Sequence, residues 1–269
     1  MAFDINNFVI DRIVRGVALS QKDDSVLFSI NQIQNASLNC ASESTDAVDA
    51  LGTPIATFYR AKTAEFSAEN ALFDMNLMAT QLGTEKTVAS AASKVVVPAM
   101  ETIDMAKDVK EGKYVLKHTP IAAPTEIYAI NGDSTFGVKY TKGTAASDTA
   151  FAYTEADHSI TLPTGIKADE MFVMYEYESE NAVEVVNSAR NFPVGCKFIM
   201  EVLGCDVCDQ TNLIYAYVIF NNFKLSPDFD WSIATDGAHP FSGRAQQDYC
   251  DKEKRLFSIV IPGDDEVKA

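Results

Sequence analysis

The chain has 269 residues, of which 47% are hydrophobic, and a formal charge of −16. That hydrophobic share excludes extensive disorder, and the length allows one large core or two smaller ones. The acidity argues against ordinary phosphate-backbone binding, which needs clustered Lys and Arg; alone it does no more than favour solubility.

No apolar run approaches the roughly 18 residues that span a bilayer, so no membrane partner is expected. The N-terminus, MAFDINNFVIDR, carries an early acid and no long apolar run, so it does not read as a secretory signal. The expectation is a soluble protein made in a cytoplasm.

In chain order, residues 12 to 30 predict a hairpin, with RIVRGVALS and SVLFSIN flanking the polar turn QKDD. A third strand is predicted at Ser37 to Ala41, where Leu38 and Cys40 share a face. The next stretch, SESTDAVDALGTP, is rich in turn formers and acids and predicts an exposed acidic loop over 42–53. A strand from Ile55 then leads into residues 61 to 83, AKTAEFSAENALFDMNLMATQLG, around which the rest is organised. Ala64, Phe66 and Ala68 alternate with Thr63, Glu65 and Ser67, which is the period of a half-buried strand. The period then changes. Leu72, Met75, Ala79 and Leu82 recur three or four apart, with Phe73 and Leu77 beside them, predicting a helix over about 68–82 packed on a sheet. Ser67 is its expected N-cap, Glu69 lies in its first turn, and Gly83 is its stop.

EKTVASAASK is low in large residues and reads as a linker. Residues 95 to 180 carry short strands at close spacing: KVVVP, ETIDM, KYVLKH, EIYAING, FGVKYT, FAYTEA, SITLP and MFVMYEYE. Turn-like separators such as NGDS and PTGIKADE lie between them. The pattern predicts a small all-β insertion of the immunoglobulin-like sandwich type. Residues 1–94 and 181–269 would then form one discontinuous β domain, and 95–180 the insert.

After Asn181, KFIMEVLG and LIYAYVIF are strong strands. The second is apolar on both faces, with Ile214, Ala216, Val218 and Phe220 on one and Leu213, Tyr215, Tyr217 and Ile219 on the other. Such a strand belongs in a sheet covered on both sides or at a subunit contact. FDWSIAT and RLFSIVIP predict two closing strands, with a helical turn in QQDYCDKEK between them and a frayed tail, GDDEVKA.

No catalytic constellation is found. The three histidines, His118, His158 and His239, stand far apart in sequence, and no phosphate loop, nucleophile elbow or dinucleotide fingerprint occurs. The five cysteines are an odd number and suggest free thiols. Cys205 and Cys208 form a CxxC without a second ligand pair, so reduced cysteines at a strand end are expected in place of zinc. Glu176 and Glu178 read as solvated surface. No cofactor, no metal and no enzymatic activity are expected.

Several stretches carry a resemblance. SVLFSINQIQNASLNCASESTDAVDALGTPIATF resembles the opening of bacteriophage tail tube (major tail) proteins, where a strand pair leads to a long loop and then a strand. AKTAEFSAENALFDMNLMATQLG is similar to their strand–helix unit. NNFKLSPDFDWSIATDGAHPFSGRAQQDYCDKEKRLFSIVIPG resembles their closing strands, through S-P, T-D-G and F-S-G-x-A. The match covers about the first and last thirds of the chain; the middle departs from a minimal tube protein, although inserted β domains are known in that family.

The resemblance implies a mainly β fold, a tail-tube-like β-barrel or sandwich with one flanking helix. It implies a structural virion protein of the phage tail, made in the host bacterial cytoplasm. Its subunits would form stacked hexameric rings around a DNA-delivery channel. The implied partners are further copies of itself, other tail proteins, and double-stranded DNA passing without specific binding. Within that frame Glu65 and Glu201, on strand faces opposite the apolar set, are candidate lumen-facing acids. Glu43, Asp46 and Asp49 mark a candidate inter-ring loop, and Ile214, Ala216, Val218 and Phe220 a candidate buried or assembly strand. The alternatives are another virion component, such as a head-decoration, connector or baseplate protein, or a β-sandwich binding module.

Overall fold

The computed structural model describes residues 7–249 and 252–263. Cys250 and the tail from Asp264 lie outside the described residues. In chain order the strands are β1 (Phe8–Ser20), β2 (Val26–Ile30), β3 (Ile33–Val48), β4 (Pro54–Asn70), β5 (Thr87–Val88), β6 (Val95–Asp104), β7 (Lys113–Val115), β8 (Glu126–Ile130) and β9 (Phe136–Gly143). They continue as β10 (Ala150–Thr154), β11 (Ser159–Thr161), β12 (Glu170–Ser179), β13 (Val183–Glu184), β14 (Gly195–Asp206), β15 (Asp209–Leu225), β16 (His239–Ala245) and β17 (Ser258–Val260). The one described helix, α1, is Met75–Leu82. The chain is therefore mainly β, as its alternation predicts. It divides into two compact units: the described residues up to Lys86 together with those from Val185, and residues Thr87–Glu184.

In the first unit one sheet runs in the order β2-β1-β14-β15-β16-β4-β3, with β17 added to β15. Every pairing in it is antiparallel. Its inward side gathers Phe28, Phe66, Phe198, Phe220, Phe223 and Phe241, all buried. The Phe66 ring lies 5.7 Å from Phe198, 5.9 Å from Phe220 and Phe241, and 6.4 Å from Phe223. Each buried phenylalanine contributes about 1.5–3 kcal/mol, so these rings form the energetic centre of the unit. Leu77 of α1 joins the same core.

The organising stretch keeps its inward strand alternation, with Ala64, Phe66 and Ala68 buried, but its helix is shorter than 68–82. Ser67 is no N-cap and Glu69 lies in no helical turn. Ser67 to Asn70 continue the ladder against β16, from Ser67↔Ser242 to Asn70↔His239. The cap is Asp74, whose Oδ1 accepts the Leu77 N–H at 2.7 Å. Gly83 is the stop: it is left-handed at φ 67, and a Cβ there would come within 2.3 Å of the Phe192 backbone.

Three further expectations need correction. Residues 42–53 are not a loop but the far half of a hairpin formed by β3 and β4. FDWSIAT forms no strand; Trp231 stacks on Phe73 at 4.5 Å and Phe229 lies 6.2 Å from His239, so ring contacts replace a ladder. RLFSIVIP pairs only over Ser258–Val260; the expected helical turn in QQDYCDKEK falls partly outside the described residues, with turn backbone at Tyr249 and at Lys252 and Glu253. Conversely, HPFSGRA is strand β16. Gly243 permits it, because a Cβ there would meet the Phe223 ring at 2.5 Å.

In the second unit seven strands form one hydrogen-bonded path, β6-β12-β8-β9-β10-β11-β7, folded over a single core that includes Ile103, Ile127, Phe151, Ile160, Met171 and Val173. KVVVP and ETIDM, read as two strands, are one continuous β6. No backbone ladder joins the end strands β6 and β7. The buried Glu101 of β6 links them: it accepts the Tyr114 hydroxyl at 2.7 Å, the Tyr175 hydroxyl at 2.5 Å and the Lys117 N–H at 3.2 Å. Burial, first, and that carboxylate, second, push both tyrosine hydroxyls well above their ordinary pKa. The chain enters and leaves this unit as a pair, Thr87↔Glu184 and Val88↔Val183.

Candidate functional site

The far half of the β3–β4 hairpin is a two-stranded ribbon. β16 covers β4 only from Ala64 onward, so residues 54 to 63 pair with β3 alone. A bulge opens the ribbon between the pairs Ala41↔Thr63 and Glu43↔Arg60, with Ala61 at φ 50. Beyond it the register is Ser44↔Tyr59, Thr45↔Phe58, Asp46↔Thr57 and Ala47↔Ala56. Glu43 and Asp46 therefore stand on a strand. Asp49 shapes the tip, its Oδ1 accepting the Leu51 and Thr53 N–H groups, both at 2.8 Å. Each ribbon face pairs an aromatic residue with an acid: Tyr59 with Asp46, and Phe58 with Glu43. The apolar residues of the ribbon are open, with Leu51 91%, Ile55 71% and Tyr59 70% exposed. The strand expected from Ile55 is the outer part of β4; its partner over residues 42–48 escapes sequence alternation, because neither of its faces is buried and no apolar contrast marks it.

The outer side of the main sheet, opposite the phenylalanine core, has two chemistries. Across β3, β4, β16 and β15 the register rows are polar: Asn39–Glu65–Arg244–Lys224 and Ser37–Ser67–Ser242. Across β1, β14, β15 and β17 they turn apolar and aromatic. Those rows are Arg12–Leu203–Tyr215, Arg15–Glu201–Tyr217–Val260 and Val17–Ile199–Ile219. Leu213 and Tyr215 there remain 49% and 46% exposed.

Both candidate lumen acids lie on this outer side and both are paired. Glu65 accepts the Arg244 Nε–H at 2.9 Å and forms a second bond with the same guanidinium. Glu201 is buried; it accepts the Arg15 Nε–H at 2.6 Å and the Tyr217 hydroxyl at 3.3 Å. The Arg15 pKa is held above its ordinary value by that hydrogen bond. Burial, then Glu201, raises the Tyr217 hydroxyl. Neither partner arginine was foreseen. The signal was available only through register, since Arg15 precedes Glu201 by 186 residues.

On β15, Ala216, Val218 and Phe220 are buried and Ile214 is half-buried. Its second face is the apolar outer patch just described. Within the chain that face is partly open, which leaves the subunit-contact reading of this strand standing.

The histidines stay apart. His118 stacks on Tyr177 at 3.9 Å, His158 meets the Tyr153 hydroxyl at 3.2 Å, and buried His239 meets Gln81 Oε1 at 2.8 Å. Cys40, Cys196, Cys205 and Cys208 are free thiols, and burial pushes Cys196 up to about 12. Among the described residues no group of three or more His, Cys, Asp or Glu is placed to hold a metal ion. An open cleft of about 750 Å³ lies in the second unit, lined by Asp104, Asn131, Ser134, Lys167 and Asp169 among others. No described helix is long and apolar enough to cross a membrane.

A profile described as the YomU/Tube protein family matches residues 8–257. Among curated proteins, none matches.

Proposed function

The chain belongs to the YomU/Tube protein family, a family of phage tube structural proteins, and from that premise we propose that it is the subunit of stacked hexameric rings enclosing a DNA-delivery channel. The observation that carries the proposal beyond the family is the ribbon. Its six paired residues from Glu43 to Val48 extend roughly 20 Å and are exposed, uncovered by any of the described residues. An isolated two-stranded hairpin is marginal in water, so such a ribbon is built to dock on another chain. Glu43, Asp46 and Asp49 would travel with it to the neighbouring subunit or ring. A head-to-tail contact that closes makes a ring, and rings that stack make a tube.

The polar half of the outer sheet face fits the channel wall. Its acid Glu65 is balanced by Arg244, and the rows around it are serine and asparagine, with Lys224 at one end. Such a wall offers no run of cations to hold phosphates, and the acidity of the whole chain repels DNA at long range. Glu201, buried beside Tyr217, fits a subunit contact better than an open wall. Thr87–Glu184 would sit on the outside of the tube, where an inserted unit obstructs neither channel nor stacking.

Negative-stain imaging of purified protein tests this directly. Six-fold rings or tubes about one subunit-ring in width are the expected outcome. A chain that remains a monodisperse monomer across concentration, salt and pH would end the proposal.

A further inference from the structure

The apolar half of the outer face and the projecting ribbon are two unmatched features of one chain, and their chemistries match each other. The face presents Tyr215, Leu213 and Val260 beside two arginines, Arg12 and Arg15, whose side chains are 66% and 57% exposed. One ribbon face presents Tyr59 and Ile55 beside Asp46, and the other presents Phe58 beside Glu43, which stands opposite Arg60. Arginine with aromatic residues on one side meets acids with aromatic residues on the other, in a chain whose net charge of −16 would otherwise set copies against each other.

From this we infer that the ribbon of one copy docks on the β1–β14–β15–β17 outer face of the next, with Asp46 or Glu43 against Arg12 and Arg15. The inference rests on the tube reading and names the surface that reading leaves open.

Size agrees with it. The ribbon has about 20 residues and one face offers about half of them, which is the size of a small contact that repetition around a ring multiplies. Geometry agrees as well. The ribbon and its receptor face are different surfaces of one chain, so the contact is heterologous and propagates around a ring; a self-paired ribbon would stop at a dimer. The division of the outer face also acquires a reason. The half that meets protein is apolar, and the half left to water is polar. Arg15 is held in place by Glu201, so its free N–H groups stay aimed outward without the entropic loss of ordering a mobile side chain on docking.

The test uses the full chain with a photo-crosslinking phenylalanine analogue in place of Tyr59, in a mixture of isotopically labelled and unlabelled protein. Mass spectrometry should find the ribbon joined to peptides of β1 or β15 from the other copy. A charge swap provides the second readout. Asp46→Arg alone and Arg12→Asp alone should each raise the concentration needed for assembly roughly tenfold, and the two together should restore it. Rings or tubes that form normally while Tyr59 links to another ribbon or to residues 87–184, or that gain nothing from the paired swap, would overturn the inference and leave the tube reading intact. Unmodified protein that never assembles would remove the tube reading and this inference together.

Discussion

Glu101 shows how much one side chain can decide. It joins the two end strands of a seven-stranded sheet that no backbone ladder closes, using both oxygens and three donors. Replacing it by alanine strands the Tyr114 hydroxyl and the Lys117 N–H and leaves the Tyr175 hydroxyl only the bond it accepts from the His118 N–H; a buried group left unpaired costs about 1–3 kcal/mol. Glu101→Ala should therefore lose at least about 3 kcal/mol in urea unfolding, and Tyr114→Phe clearly less. Equal losses would mean that the network acts through packing and not through its bonds. His239 makes a second case. Its ring is fully buried between Phe73, Phe229 and Gln81, and burial lowers its pKa below the ordinary 6.5, against a smaller upward pull from Asp74. The unfolded chain then binds the proton more readily. The stabilising effect is complete above about pH 6.5 and is lost as the pH falls below it. Between pH 7.5 and pH 5, wild type should lose more stability than His239→Gln, and parallel losses would assign the pH dependence to other groups. Val218 lies at the limit of burial on β15, facing the phenylalanine core. Val218→Asp should cost several kcal/mol and yield insoluble or unassembled protein; a soluble, assembling variant would show that this face is open to water.

At the scale of elements, sequence was most informative where one face is buried and the other is wet. β1, β2, β8 and β12 announce themselves by alternation, β14 and β15 by their long apolar runs, and the QKDD turn by its composition. Three kinds of element escaped. The β3 arm of the ribbon has no buried face. β16 carries Pro240 and Gly243, residues that strands disfavour, although the glycine only makes room for Phe223. The start of α1 was placed seven residues early, because Ala68 and Asn70 satisfy both a helical and a strand period until β16 is known to pair with them. The candidate site suffered similarly. Glu65 and Glu201 were legible as acids opposite apolar residues, but their arginines come from strands distant in sequence. The true cap is testable. Asp74→Ala should cost about 1 kcal/mol, as loss of an N-cap does, whereas Ser67→Ala should change stability by a few tenths at most. A larger effect at Ser67 would restore the longer helix.

For the whole molecule the question is whether residues Thr87–Glu184 are a separable module. Their strands form sheets of their own, and their core shares no residue with the phenylalanine core. The chain passes in and out through a single antiparallel pair, β5 with β13, so the two cut points already lie side by side. Adjacent ends mean that a short Gly/Ser link closes the gap at little entropic cost, since loop closure grows only slowly with length. The main sheet gains no strand from the removed segment and should keep its order. The shortened chain, Lys86 joined to Val185, is thus expected to stay soluble, to unfold cooperatively, and to form the same rings or tubes as the full chain under imaging. The excised segment expressed alone should also unfold in a single transition, held by Glu101 and its own core. An insoluble short chain would show that the second unit supports the first. A soluble short chain that no longer assembles, while full-length protein does, would place that unit in the subunit contact and move it from the outside of the tube into its wall.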